Sequence, residues 1–194
     1  LILLAAYTAL CYFLARAKTI PAPAITTPSA VQTAQNAYLP NDFLFLHQVN
    51  TPKRLVRKER KFNNFEIDLY PAQQSEQLYA AHDDEAIKSD ILLEDLFSSL
   101  KTPARYNYWL DIKAPISQAN IDYVKTVAAK YNINPQRLIF EPSDDATALL
   151  LRQNGFNILL FTPGFKENLP AEQLAALIKK TEERINTLQP IAIS

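Results

Sequence analysis

From residue 43 onward, short apolar runs alternate with longer stretches whose apolar residues recur every three or four positions. That alternation limits the possible folds more than any other feature of the chain. The short runs are FLFLH, FEIDL, QLYAAH, YNYWLDIK, RLIFEP, FNILLF and PIAIS, and each reads as a strand. Between them, TPKRLVRKERKF suits a helix with Thr51 as cap and Pro52 at its first position. DILLEDLFSSL suits one capped by Asp90, SQANIDYVKTVAAKY one opened by Ser117, SDDATALLLRQNG one closed by Gly155, and PAEQLAALIKKTEERINTL a long last helix. Strands flanked by helices pair in parallel, with both faces of the sheet covered.

An open doubly wound sheet and a closed barrel both fit that order. Two observations favour the barrel: no glycine-rich strand-to-helix turn of the dinucleotide type is present, and polar residues recur at one strand end after another, where a barrel would gather them at one mouth. The expected fold is therefore an α/β (β/α)8 TIM barrel. Seven strands are visible, the last just begun at PIAIS, and no methionine occurs anywhere. The chain thus reads as an internal portion of a longer one, its barrel truncated near strand seven with the eighth strand and helix beyond Ser194.

Ahead of the barrel, LILLAAYTALCYFLAR is apolar up to Arg16. A membrane span needs about 20 such residues, so residues 1–17 read as the end of a transmembrane helix. No small-residue cleavage site follows cleanly, which disfavours a signal peptide. Residues 18–41 are rich in Pro, Thr, Ala and Gln and read as an extended linker; residues 42–194 form the globular domain. Arg16 and Lys18 favour a cytoplasmic domain by the positive-inside rule, whereas the Pro/Thr-rich stalk favours an extracytoplasmic, periplasmic one, which is the expectation adopted. Twenty Lys and Arg balance twenty Asp and Glu, which gives no support for nucleic-acid binding. The single cysteine excludes a disulfide framework and a cysteine-based zinc site.

The strand ends carry the candidate chemistry. His47 ends the first run, Glu66 and Asp68 lie in the second, His82 ends the third, Asp111 and Lys113 lie in the fourth, and Glu141 ends the fifth. Period-two geometry places Glu66 with Asp68, and Asp111 with Lys113, on one face. Buried carboxylates are costly unless paired or bound to a cation, and Glu66, Asp68 and Asp111 together suit a hard divalent ion, Mg2+ or Ca2+. His47 and His82, the only histidines, would face each other over that site as proton donor and acceptor. Lys113 offers a fixed positive charge for a phosphate oxygen. Blander readings exist for each: a structural histidine, a solvated E-x-D face, a same-face D-x-K ion pair, and Glu141 as a helix cap. A sugar-cleaving pair of Glu66 and Glu141 would leave Asp68, Lys113 and both histidines without roles.

The order of HQVN at 47–50, FEIDL at 65–69, LYAAHDD at 78–84 and WLDIK at 109–113 resembles the phospholipase C-like phosphodiesterase barrels, the glycerophosphodiester phosphodiesterases and sphingomyelinase D-type enzymes. The resemblance covers roughly residues 43–162. It implies His47 and His82 as the acid/base pair, Glu66, Asp68 and Asp111 as metal ligands, and Lys113, with Asn50 and Glu141, as phosphate- or substrate-binding residues. Gln48 and Val49 depart from the H-R-G with which glycerophosphodiesterases begin, and HQVN and LDIK lean toward the sphingomyelinase D side. The implied activity is metal-dependent cleavage of glycerophosphodiesters or lysophospholipids by a membrane-anchored enzyme. The alternative is a catalytically inactive barrel that serves as an accessory or scaffold subunit of a membrane complex.

Overall fold

The computed structural model describes residues 44–72, 75–82, 89–162 and 169–193. The expected membrane segment, the linker, and the aspartates at 83 and 84 lie outside the described residues. Among the described residues no helix is long and apolar enough to cross a membrane.

The strands are β1 (Asn64–Pro71), β2 (Leu78–Ala80), β3 (Asn107–Ile112), β4 (Leu138–Glu141), β5 (Asn157–Leu160) and β6 (Ala192–Ile193). The helices are α1 (Pro52–Lys58), α2 (Leu93–Ser99), α3 (Gln118–Lys130), α4 (Asp145–Gln153) and α5 (Ala171–Leu188). The sheet has six strands in the order β2-β1-β3-β4-β5-β6. From β1 to β6 the pairing is parallel, as expected of strands returned by crossover helices.

Two of the expected strands differ. Among the described residues FLFLH makes a single parallel bridge, Leu46 to Phe65, and Gln48, with φ at 56°, interrupts the extended backbone just after it. QLYAAH becomes β2 and pairs antiparallel with β1, Leu69 opposite Ala80. The connection between Pro71 and Leu78 is short, and a parallel return needs a crossover of a dozen residues or more, so a hairpin is the geometry this spacing permits.

The helix ends follow local chemistry. Thr51 caps α1, its hydroxyl accepting from the Arg54 N–H at 3.3 Å, and Ser117 caps α3. Asp90 does not cap α2; the helix begins later, where the Asp95 carboxylate accepts from the Leu92 N–H at 2.8 Å. Gly155 closes α4 with φ at 82°, a left-handed position that a side chain would strain.

Strand alternation gives the sheet two faces. Phe65, Ile67 and Leu69, Tyr108, Leu110 and Ile112, Leu138 and Phe140, and Ile158 and Leu160 turn toward the helices and pack in one core with Leu55, Leu96, Phe97, Val124, Val127 and Leu151. The opposite face carries a smaller apolar cluster, Phe45, Ile139 and Leu159 against Trp109. On this face the register brings Glu66 level with Trp109 and Ile139, and Asp68 level with Asp111 and Glu141.

Candidate metal centre at the strand ends

Glu66, Asp68 and Asp111 each offer a carboxylate oxygen to one small volume, these atoms all lying within 4.8 Å of one another. β1 and β3 put them there: Asp68 and Asp111 are cross-strand partners, and Glu66 lies two residues before Asp68 on the same face. Glu66 and Asp68 are buried, at 4% and 0% exposure, so each carboxylate depends on partners within the protein.

Those partners are unequal. Glu66 Oε2 accepts from the Gln48 N–H at 2.5 Å and lies 3.1 Å from His47 Nδ1. Asp68 Oδ2 accepts from Asn50 Nδ2 at 2.8 Å. The Lys113 ammonium lies 2.5 Å from Asp111 Oδ2 and 2.8 Å from Asp68 Oδ1. Asp68 Oδ1 is buried, and that ammonium is its charged partner.

The electrostatics follow from burial and crowding. Burial is the largest influence on Glu66 and pushes its pKa up; the Gln48 N–H works against it, Asp68 adds to it, and His47 again opposes it. Burial likewise raises Asp111, with Lys113 opposing, Asp68 adding and His82 opposing. For Lys113, burial favours the neutral amine but is outweighed by Asp111 and Asp68, so the ammonium form is strengthened.

With all three carboxylates ionised, the single ammonium leaves two negative charges in the cluster. A divalent cation balances that count, and an all-oxygen donor set suits magnesium or calcium. Asp68 Oδ1 is buried with the Lys113 ammonium as its counter-charge at 2.8 Å, so the fit to a cation rests on the all-oxygen donor set and on the convergence of the three carboxylates. The residues present therefore fit the cation that the sequence led us to expect.

The remaining candidates surround this group. His47 stands at the Glu66 side, its side chain 66% exposed and its ring edge-on to Trp109 at 5.5 Å between centroids. His82 follows β2, half-buried, and its charge acts on Asp111, so the two histidines lie near different members of the carboxylate group. Glu141 is buried at 8% exposure in the same row as Asp111 but outside the group of three. As for the capping role open to it, α4 is capped by Asp144.

Two participants were not expected from sequence. Trp109 shares the face of Asp111 by period two, a signal that was available, and its indole Nε1 is buried without a hydrogen bond. The Gln48 contribution comes from a backbone N–H and has no side-chain signature at all.

No protein-family model and no curated protein matches the chain. Among solved structures, a glycerophosphodiester phosphodiesterase from Parabacteroides distasonis ATCC 8503 is similar, with a TM-score of 0.49 and 10% identity over 75% of this chain and 76% of that chain. At that similarity, the functional reading rests on the chain's own residues.

Proposed function

We propose that the protein is a metal-dependent phosphodiesterase acting on glycerophosphodiesters or lysophospholipids. The observation that carries this reading is the convergence of Glu66, Asp68 and Asp111 within 4.8 Å, with Lys113 against two of them and His47 against the third. Completion of the sheet to a (β/α)8 barrel, anchorage through residues 1–17 and an extracytoplasmic location of the domain belong to the same proposal and rest on the sequence pattern.

Glu66, Asp68 and Asp111 would hold Mg2+ or Ca2+, which when bound neutralises charge developing on a phosphoryl oxygen. His47 is held through Nδ1 by the Glu66 carboxylate, which orients the ring and leaves Nε2 to move a proton at the attacking or leaving oxygen. His82, near enough for its charge to act on Asp111, is the partner that handles the other proton. Lys113, once a phosphate shares the site, directs its ammonium at a non-bridging oxygen. A sugar-cleaving reading would engage only carboxylates and would leave this cation-and-imidazole surround idle.

The test is phosphodiester cleavage by the full chain over a panel of glycerophosphodiesters and lysophospholipids, in magnesium or calcium and in chelator. Chelator-sensitive turnover is expected, and Glu66→Ala and Asp68→Ala, each confirmed folded by circular dichroism, reduce it to background. Retained turnover in both variants would remove the carboxylates from the reaction. Silence from folded wild-type protein across the panel would leave an accessory barrel of a membrane complex as the better reading.

A further inference from the structure

Residues 47–50 engage both acidic residues of β1. His47 and the Gln48 N–H share Glu66 Oε2, and the Val49 N–H donates to the Glu66 carbonyl at 2.9 Å. Asn50 is bonded twice to Asp68: its Nδ2 donates to the carboxylate Oδ2 at 2.8 Å, and its Oδ1 accepts from the Asp68 backbone N–H at 3.0 Å. The segment is itself fixed. Val49 is fully buried in the helix-side core, and Arg54 of α1 donates to the His47 carbonyl at 2.8 Å. Gln48 holds φ at 56°, a left-handed conformation that directs successive N–H groups of 48 and 49 to the same residue.

We propose that Asn50 is a positioning residue for the cation site, a role that rests on the metal-dependent reading above. The segment takes one oxygen from each carboxylate, Glu66 Oε2 and Asp68 Oδ2, and so fixes how each carboxylate is turned within the group of three. At Asp68 the remaining oxygen, Oδ1, faces the Lys113 ammonium at 2.8 Å. A carboxylate free to rotate about its terminal bond would present either oxygen in either orientation; one tied by an amide that is also tied to the backbone of the same residue cannot. Asn50 has committed its carbonyl and one amide hydrogen to Asp68, so a single N–H is left over for anything else. That inventory suits orienting a ligand better than contacting a phosphate. Groups that orient metal-binding carboxylates in this way commonly affect metal affinity by about 10- to 100-fold.

The experiment titrates magnesium chloride into the full chain by calorimetry, for wild type and Asn50→Ala, alongside melting in chelator and KM for a cleaved phosphodiester at saturating magnesium. Asn50→Ala is expected to weaken magnesium binding by about 10- to 100-fold, with KM at saturating magnesium unchanged and melting in chelator little altered. Unchanged magnesium affinity overturns the proposal. It does so either with raised KM, which makes Asn50 a substrate contact, or with lowered melting alone, which makes it a structural tie. Should Asn50→Ala fail to fold, the Asn50 side-chain amide resonance of the wild-type chain decides. It is expected to shift on adding magnesium before any substrate, and a resonance that moves only with substrate overturns the proposal. Wild-type protein that binds no magnesium removes the metal reading itself, an outcome distinct from wild type and variant binding it equally.

Discussion

Lys113 is the residue whose position says most about the site. Its ammonium lies between Asp68 and Asp111, where it partly neutralises the cluster and competes with any further cation. Removing it has two opposed consequences. Lys113→Ala leaves three carboxylates with no fixed positive charge, so magnesium affinity should rise several-fold; the phosphate loses its ammonium, so turnover should fall at least 100-fold, within the range seen when one charge-stabilising donor is deleted. Calorimetry and turnover at saturating magnesium check both halves, and a variant that loses affinity and turnover together would make Lys113 a scaffold for the carboxylates. At this scale the sequence was informative. E-x-D and D-x-K each place two side chains on one face by period two alone, and the structure brings their carboxylates together. The backbone N–H of Gln48 and the pair of hydrogen bonds between Asn50 and Asp68 were hidden, because they depend on a left-handed turn at a residue that is not glycine.

At the scale of elements, helix ends were more legible than strand partners, since a cap is decided by neighbours in sequence whereas pairing is decided by what the connection can span. Ser117, Thr51 and Gly155 fall where their chemistry puts them. The hairpin of β1 and β2 was readable from its short connection, yet the dominant parallel pattern concealed it. Asp144 gives a test of an element end with a definite pH sign. Its carboxylate accepts from the Thr147 N–H at 2.8 Å, the Thr147 hydroxyl at 2.9 Å and the Ser143 hydroxyl at 3.0 Å. Partial burial opposes ionisation, but these bonds outweigh it and hold the pKa below its ordinary 3.8. A depressed carboxylate stabilises the fold above its unfolded value, and that contribution is lost as pH falls through the folded value. Asp144→Ala is therefore expected to cost about 1 kcal/mol at pH 7, with the difference closing below the ordinary value, whereas Asp144→Asn retains most of the cap. Denaturant midpoints measured across that window check it; a deficit of constant size at all pH values would assign the loss to packing instead of charge.

For the whole molecule, the ligands of the proposed cation come from two hydrogen-bonded strands in the interior of the sheet, with their ladder running from Asn64 opposite Asn107 to Leu69 opposite Ile112. In an unfolded chain Glu66 and Asp68 remain neighbours, but Asp111 joins them only through that ladder. A cation that needs all three therefore binds the folded state and not the unfolded one, and local binding becomes a global stability term. At a concentration 100-fold above its Kd, magnesium would stabilise the fold by about 2.7 kcal/mol, which for a domain of this size raises the melting temperature by about 5–10 °C. Scanning calorimetry of the full chain in magnesium, against sodium chloride of matched ionic strength, measures this. The shift should vanish in Asp111→Asn, which keeps the shape of the ligand and removes its charge. An equal shift from sodium chloride would mean that salt is only screening crowded carboxylates. A shift that persists in Asp111→Asn would confine the cation to Glu66 and Asp68, a site already formed by one strand, and Lys113, just after β3, would then be that segment's sole contribution to the cluster.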